Sequence, residues 1–402
     1  MFFAGFLLSN ISVAMQAFGL GWLVVQLAVR DGTPERAPLY LGFVGIARAV
    51  PGLALGLFGG VIADRRDRRA LLLATQISFA AIAAALAVLT LSGLVSLPWV
   101  LALSALMAAT SSFYHPTRQA LQPGLVGERN LMSAFGLNAL SLNIGTLTGP
   151  LIGGALIGPL NVGGVLLASA ILYAIGACLY LTIPPRPAAV DARRVRVIPA
   201  LLEGLRYVRD DTTVRWLMIL FAAATLFARP YADLLPAFAR SIGLDAVGLA
   251  QMAAAVGAGS LFAGFITASS GAIKRKGLAV LGGVVATGVT LIFFALQTTL
   301  VSSLALIVLL SFFLMTASGI VGALLQFETP DHLRGRVVGV QNLLIEGGLP
   351  VGTLALGTIG TAFGIGPALV GGGAVLVAAG LATAMFVPAL RRANEVRDSA
   401  HA

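Results

Sequence analysis

Charge is what this sequence has least of. Of 402 residues, 26 are basic and 16 acidic, 10% in all, where a soluble globular chain carries roughly 25%. A water-exposed surface on a fold of this size needs more ionised groups, so a cytosolic enzyme and a disordered chain are both excluded. The one cysteine, Cys178, excludes an internal disulfide and a cysteine-based metal centre. The three histidines stand far apart, with no metal-ligand spacing between them, and no metal site is expected. No G-x-x-x-x-G-K-[ST] loop occurs, which removes ATP as the energy source, and no cofactor is expected. Gly-x-Ser-x-Gly and His-Glu-x-x-His are absent too, so the chain does not read as an intramembrane enzyme. Lysine is confined to Lys274 and Lys276 while arginine, alanine and glycine abound. That bias belongs to a GC-rich, bacterial genome.

What fills the space is apolar. Hydrophobic residues make up 58% of the chain, against roughly 45–50% in soluble proteins, and the mean hydropathy is +0.95. The apolar runs are continuous and do not alternate with period two, which excludes a porin-like barrel. At roughly 20 residues per crossing the length accommodates about a dozen helices. The first half breaks into spans near 2–29, 39–63, 70–92, 97–118, 133–158 and 163–183. The second half gives 213–235, 245–270, 277–297, 300–325, 337–362 and 366–389. Between them, 184–212 is a linker rich in proline and arginine, with an amphipathic surface helix over Pro199–Arg209; 390–402 is a tail. The expected fold is an all-α membrane protein of twelve transmembrane helices in two six-helix, pseudo-symmetric bundles, 1–183 and 213–389.

The net charge of +10 falls in short bursts between spans and so reads as topology, not as a nucleic-acid surface. With the N-terminus inside, inner loops hold 21 basic residues and outer loops four (Arg30, Arg36, Arg229, Arg240), with Arg48 within a span. The positive-inside rule puts both termini and the linker in the cytoplasm. Met1 is followed at once by Phe2 and Phe3; a charged leader is missing, and a cleavable signal peptide is not expected. The halves resemble each other: Thr110–Pro150 and Thr316–Pro350 each run through a cytoplasmic turn into a glycine-rich helix with a proline. A duplication of six spans is the parallel-repeat plan of secondary transporters, with substrate bound between the halves near the midplane.

Local motifs sharpen this. Gly60-Val-Ile-Ala-Asp64-Arg65-Arg66-Asp67-Arg68-Arg69 closes the second span. A carboxylate at a helix end needs a cation, and the arginines snorkel and pair with it. The spacing resembles the cytoplasmic loop signature of the major facilitator superfamily, with Asp67 where that family usually has glycine. The resemblance makes Gly60, Asp64, Arg65, Arg68 and Arg69 a conformational latch. In the fifth span, Gly145-Thr-Leu-Thr-Gly149-Pro150-Leu-Ile-Gly153-Gly154 makes a flat, bendable packing face, and it resembles the motif associated in that superfamily with antiporters. Leu8-Ser9-Asn10, Trp22-Leu23-Val24, Arg48-Ala-Val-Pro51 and Pro116-Thr-Arg118-Gln-Ala-Leu121 together look like the macrolide-efflux and enterobactin-exporter branch. Many drug–proton antiporters have an arginine inside the fourth span, whereas Leu97–Tyr114 has none.

Charges within spans are costly and mark function. Glu346 lies ten residues past Arg336, about 15 Å along a helix, where burial would favour its protonated form. Arg48 could counter a carboxylate or hold an anionic group. Asp233 stands four residues from Arg229, a spacing that suits a local pair. Asn138, with Ser141 and Gly145 on the same face, and Gln16 in the first span are the polar candidates. The expected function is a secondary transporter, proton-coupled, exporting amphipathic small molecules such as drugs or siderophores by alternating access. It is expected in the cell membrane as a monomer whose partners are the bilayer, its substrate and protons. Alternatives are an uptake permease of the same fold or a non-transporting sensor or assembly protein.

Overall fold

The computed structural model describes the backbone of residues 2–65, 67–126, 131–183, 197–268 and 275–391; the side chains of 57–65, 123–126, 131, 132, 135, 197, 198, 268, 389 and 391 lie outside the described set. Helices run α1 (Phe2–Arg30), α2 (Ala37–Arg65), α3 (Arg68–Leu91), α4 (Leu97–Val126), α5 (Leu131–Tyr180), α6 (Val197–Asp210), α7 (Thr212–Ala223) and α8 (Tyr231–Ser241). They continue as α9 (Ala246–Ala268), α10 (Lys276–Ala295), α11 (Leu300–Glu328), α12 (Asp331–Leu343), α13 (Leu349–Phe363), α14 (Ile365–Phe386) and α15 (Pro388–Arg391). No strand occurs among the described residues. In hydrocarbon a helix satisfies its own backbone, which is why uninterrupted apolar runs take this form. The scarce acids are spent at helix starts. Asp67 accepts from the Ala70 N–H at 2.9 Å, Asp211 from Val214 at 2.8 Å and Asp245 from Gly248 at 2.9 Å, each satisfying an otherwise orphaned donor. Asp67, the departure from the loop signature, is thus the N-cap of α3.

Among the described residues eleven helical stretches are long and apolar enough to cross a bilayer. One of them is double. α5 has 50 residues, far beyond the roughly 20 that span hydrocarbon, and Asn161 breaks it with φ 58° and ψ 179°. Twelve crossings result. The seventh is α7 and α8 joined by a π-helical turn, Ala224–Ala228, and the eleventh is α12 and α13 joined by another, Leu344–Gly348. Many large apolar side chains point out of the helices, Phe265, Phe363 and Phe386 among them at 72%, 75% and 80% exposure. Such a surface suits lipid and not water.

The chain clusters into two compact units, Met1–Arg194 with Leu235–Gly257, and Val195–Leu234 with Ala258–Ala402. In the first unit the most extensive pairing is α1 with α5, then α2 with α4 and α3 with α5. Its aromatic core sets Phe79 edge-on to Tyr114 and tilted against Tyr173, at 5.6 and 5.4 Å between ring centroids. The second unit is built on α10 with α14 and α10 with α11, and α6 packs on α12. Gly145 and Gly149 recur 203 residues later as Gly348 and Gly352. The first pair abuts α1, at Asn10 and at Ile11, Ala14 and Met15, while the second abuts the turn after α7, at Thr225 and Leu226. Each half therefore uses the same glycine spacing to seat its fifth crossing against its first.

Two arginines move from where the sequence put them. α4 continues well past Tyr114, so Arg118 is a buried residue of a helix and not part of an inner loop. Arg229 directly follows the π turn inside the stretch Thr212–Ser241 and does not belong to an outer loop. Both fall inside the spans drawn from hydropathy, 97–118 and 213–235, and only the tally of loop charges set them outside; the helices side with the spans.

Candidate functional site

Near the C-terminal end of α2, Gly60, Asp64 and Arg65 belong to the helix but lie outside the residues whose side chains are described. Arg68 and Arg69 are described. The Arg68 Nη1 donates to the Ala120 carbonyl at 3.0 Å and the Arg69 Nη2 to the Leu181 carbonyl at 2.6 Å. The Leu181 carbonyl stands just past the end of α5, where orphaned carbonyls and the helix dipole favour a cation, and the Ala120 carbonyl lies within the last two turns of α4. The two arginines therefore tie α3 to both helix ends.

The glycine motif of α5 serves two neighbours. A Cβ on Gly145, Gly149 or Gly153 would stand 2.6 to 2.8 Å from Asn10, Ala14 or Phe18 of α1. Gly154 instead faces Ala250 of α9, Gly257 of α9 lies against Leu147, and Gly21 of α1 against Pro236 of α8. Pro150 is buried among them.

Asn138 joins a polar chain in the same unit. The Arg118 Nη1 donates to Asn138 Oδ1 at 3.2 Å, and Asn138 Nδ2 donates to Gln122 Oε1 at 2.6 Å. The Arg118 guanidinium lies 4.0 Å from the Phe6 ring centroid, a contact that holds a buried cation without a carboxylate. Ser141, expected beside Asn138, bonds the Leu137 carbonyl of its own helix at 2.8 Å.

Gln16 and Arg48 meet in one cavity of about 90 Å³, among α1 to α5 of the first unit. Ser104 and Tyr173 line it as well. The sequence reading missed both, since a lone serine or tyrosine in an apolar run carries no signal of what it faces. Gln16 is buried and Arg48 exposed.

Two acids of the second unit stand on the crossings that carry the π turns. Arg229 lies within electrostatic range of Asp233 and Glu346, and Thr353 Oγ1 donates to Asp233 Oδ2 at 3.1 Å. Glu346 sits on the π turn of the eleventh crossing, and that turn contacts its counterpart after α7. Both Glu346 and Asp233 are exposed. Where the sequence reading expected a buried Glu346, the side chain is exposed within this chain, on a π turn that adds a residue to the helix. Such turns recur at functional sites. Neither Arg229 as the common partner nor Thr353 was named from sequence.

Near the linker, α6 is anchored within the second unit. Arg336 pairs with Glu203, Gly204 packs on the Arg336 backbone, and the Tyr207 hydroxyl donates to the Glu328 carbonyl at 3.1 Å.

Comparison with known proteins agrees with this architecture. Residues 1–401 match the transmembrane secretion effector family. The chain is 26% identical over 356 residues to a staphyloferrin A transporter of Staphylococcus aureus, covering 86% of this chain and 85% of that one. It is 27% identical over 332 residues to an enterobactin exporter of Salmonella typhimurium, covering 79% and 77%. To a multidrug efflux pump of Mycolicibacterium fortuitum it is 27% identical over 385 residues, covering 92% and 90%. Among solved structures, a nucleoside transporter superposes with a TM-score of 0.77 at 12% identity, covering 95% of this chain and 99% of that one. A D-xylose–proton symporter gives 0.73 at 13% identity, covering 97% of each. These likenesses carry the fold.

Proposed function

The chain belongs to the transmembrane secretion effector family of the major facilitator superfamily, and from that premise we propose that it exports amphipathic small molecules, siderophore-like or drug-like, in exchange for protons. It is a multi-pass membrane protein and a secondary transporter. The observation that carries the coupling is the group Arg229, Asp233 and Glu346 on two π-turn crossings. A carboxylate within a membrane-crossing helix is expensive unless it is paired or protonated. The three charges balance only while they stay together, so a movement that separates them makes room for a proton. One carboxylate thereby binds a proton in one state and releases it in another. Alternating access is the cycle that goes with the duplicated six-helix plan. Asp64 with Arg65, Arg68 and Arg69 is the latch on the inner side, and the linker lies there with both termini.

Inside-out vesicles with an imposed pH gradient test the reading. Uptake of a siderophore or drug into them, driven by an acidic interior and abolished in Glu346→Gln at equal abundance, is the expected result. Glu346→Gln fixes the neutral form, so substrate binding should persist while the gradient loses its effect. Gradient-driven uptake that survives in Glu346→Gln removes this residue from coupling, and transport in the opposite direction only would make the chain an importer.

A further inference from the structure

Of the buried side-chain polar atoms without a partner in the first unit, three line one space: Gln16 Oε1, Ser104 Oγ and the Tyr173 hydroxyl. Their residues are 8%, 6% and 0% exposed. They come from α1, α4 and the second crossing of α5, and all three line the cavity of about 90 Å³. A buried polar group gains from a partner, and these three, unlike the orphans elsewhere in the unit, share one space and can take their partner from one molecule that enters it. Arg48 lines the same space and is exposed. It makes no hydrogen bond or ion pair with any described residue. The rest of the wall is apolar, with Phe79 and Leu103 representative.

The arrangement fixes the chemistry of an occupant. An unpaired guanidinium at the open side selects an anion. Two hydroxyls and an amide deeper in select a group that both donates and accepts, which a hydroxyl does and an ether or halide does not. Drug-sized pockets run to roughly 300–1,000 Å³, so this cavity takes one end of a molecule and leaves the remainder over the rim.

We propose that the cavity lined by Gln16, Ser104, Tyr173 and Arg48 is a substrate subsite that receives the hydroxyl-bearing end of an amphipathic organic anion, with the anionic group on Arg48. The name "substrate" rests on the export reading above; the binding itself depends on neither direction nor coupling.

Calorimetry and saturation-transfer NMR on the purified full-length protein test it with 4-hydroxybenzoate as probe. Benzoate lacks the hydroxyl and phenol lacks the charge, and each should bind about tenfold more weakly. Tyr173→Phe and Ser104→Ala remove hydroxyls that have no partner, so neither should lower the unfolding temperature. Each should erase the preference for 4-hydroxybenzoate over benzoate, and Arg48→Gln the preference over phenol. Absence of saturable binding, which would mean a merely hydrated cavity, overturns the proposal. So do equal affinities for the three probes, or a preference that survives in the double variant Tyr173→Phe, Ser104→Ala. Selective binding by a protein that moves nothing in inside-out vesicles supports the subsite and sinks the export reading. Export of a drug without selective binding of the probe does the reverse.

Discussion

Asn161 holds φ 58° and ψ 179° where the two crossings of α5 meet, a region of backbone space that glycine alone occupies without strain. Asparagine tolerates positive φ better than most residues, yet the site remains strained by about 1–3 kcal/mol. Asn161→Gly is therefore expected to raise the unfolding temperature of the purified protein, by the equivalent of about 1 kcal/mol after the glycine entropy cost is subtracted. Asn161→Val should lower it. A Gly variant less stable than the parent would show that the asparagine side chain itself contributes more than its backbone costs. At this scale the sequence is legible where chemistry is unusual for its surroundings. Arg48, Gln16 and Glu346 announce themselves as polar groups in apolar runs, and the first two do share a cavity. Ser104 and Tyr173 do not announce themselves, because which face of a helix looks into an empty space depends on packing that no local pattern records. Arg118 was legible as a residue and not as a burial: the Phe6 ring and the Asn138 amide, distant in sequence, help make an interior arginine tolerable.

Elements are set by small residues here more than by large ones. Without a hydrophobic drive between helices in lipid, close backbone approach provides the packing, and α5 presents Gly145, Gly149 and Gly153 to α1 for that purpose. The neighbours of Gly149 include backbone atoms, Met15 N at 2.8 Å and Ile11 O at 2.9 Å from where a Cβ would stand. Backbone cannot step aside, so Gly149→Ala should destabilise by about 1–3 kcal/mol as overpacking and lower the unfolding temperature in detergent. Gly158, on the same helix, has open space around its Cβ position, and Gly158→Ala should gain about 0.5–1 kcal/mol of helix propensity. Equal unfolding temperatures for the two variants would mean that α1 and α5 are not held apart by the missing side chain. The period of four was readable from the sequence; the partners were not. A flat face states that something packs closely, without stating that three of its glycines meet α1 while Gly154 meets α9.

For the whole molecule, the count of crossings followed from hydropathy alone, since a bilayer leaves few ways to bury such a chain. The duplication was visible as an offset near 200, and the glycines give it a single value, 203, with equivalent helix contacts in both halves. Orientation is the remaining global property, and it rests on charge. With Arg118 and Arg229 assigned to helices beside Arg48, three basic residues remain at outer ends, Arg30, Arg36 and Arg240, against twenty at inner ends. Moving two arginines therefore leaves the asymmetry intact, and the positive-inside rule still favours cytoplasmic termini and linker. The lone cysteine makes the test simple. Cys178 is exposed, so Cys178→Ala gives a background free of thiols. On intact cells, a membrane-impermeant maleimide should label Glu35→Cys, on the exposed turn between α1 and α2. It should reach Arg194→Cys, in the linker, only after the cells are opened. Labelling of position 194 from outside, with position 35 protected, would invert the molecule, turning the proposed exporter into an importer and the inner latch into an outer one.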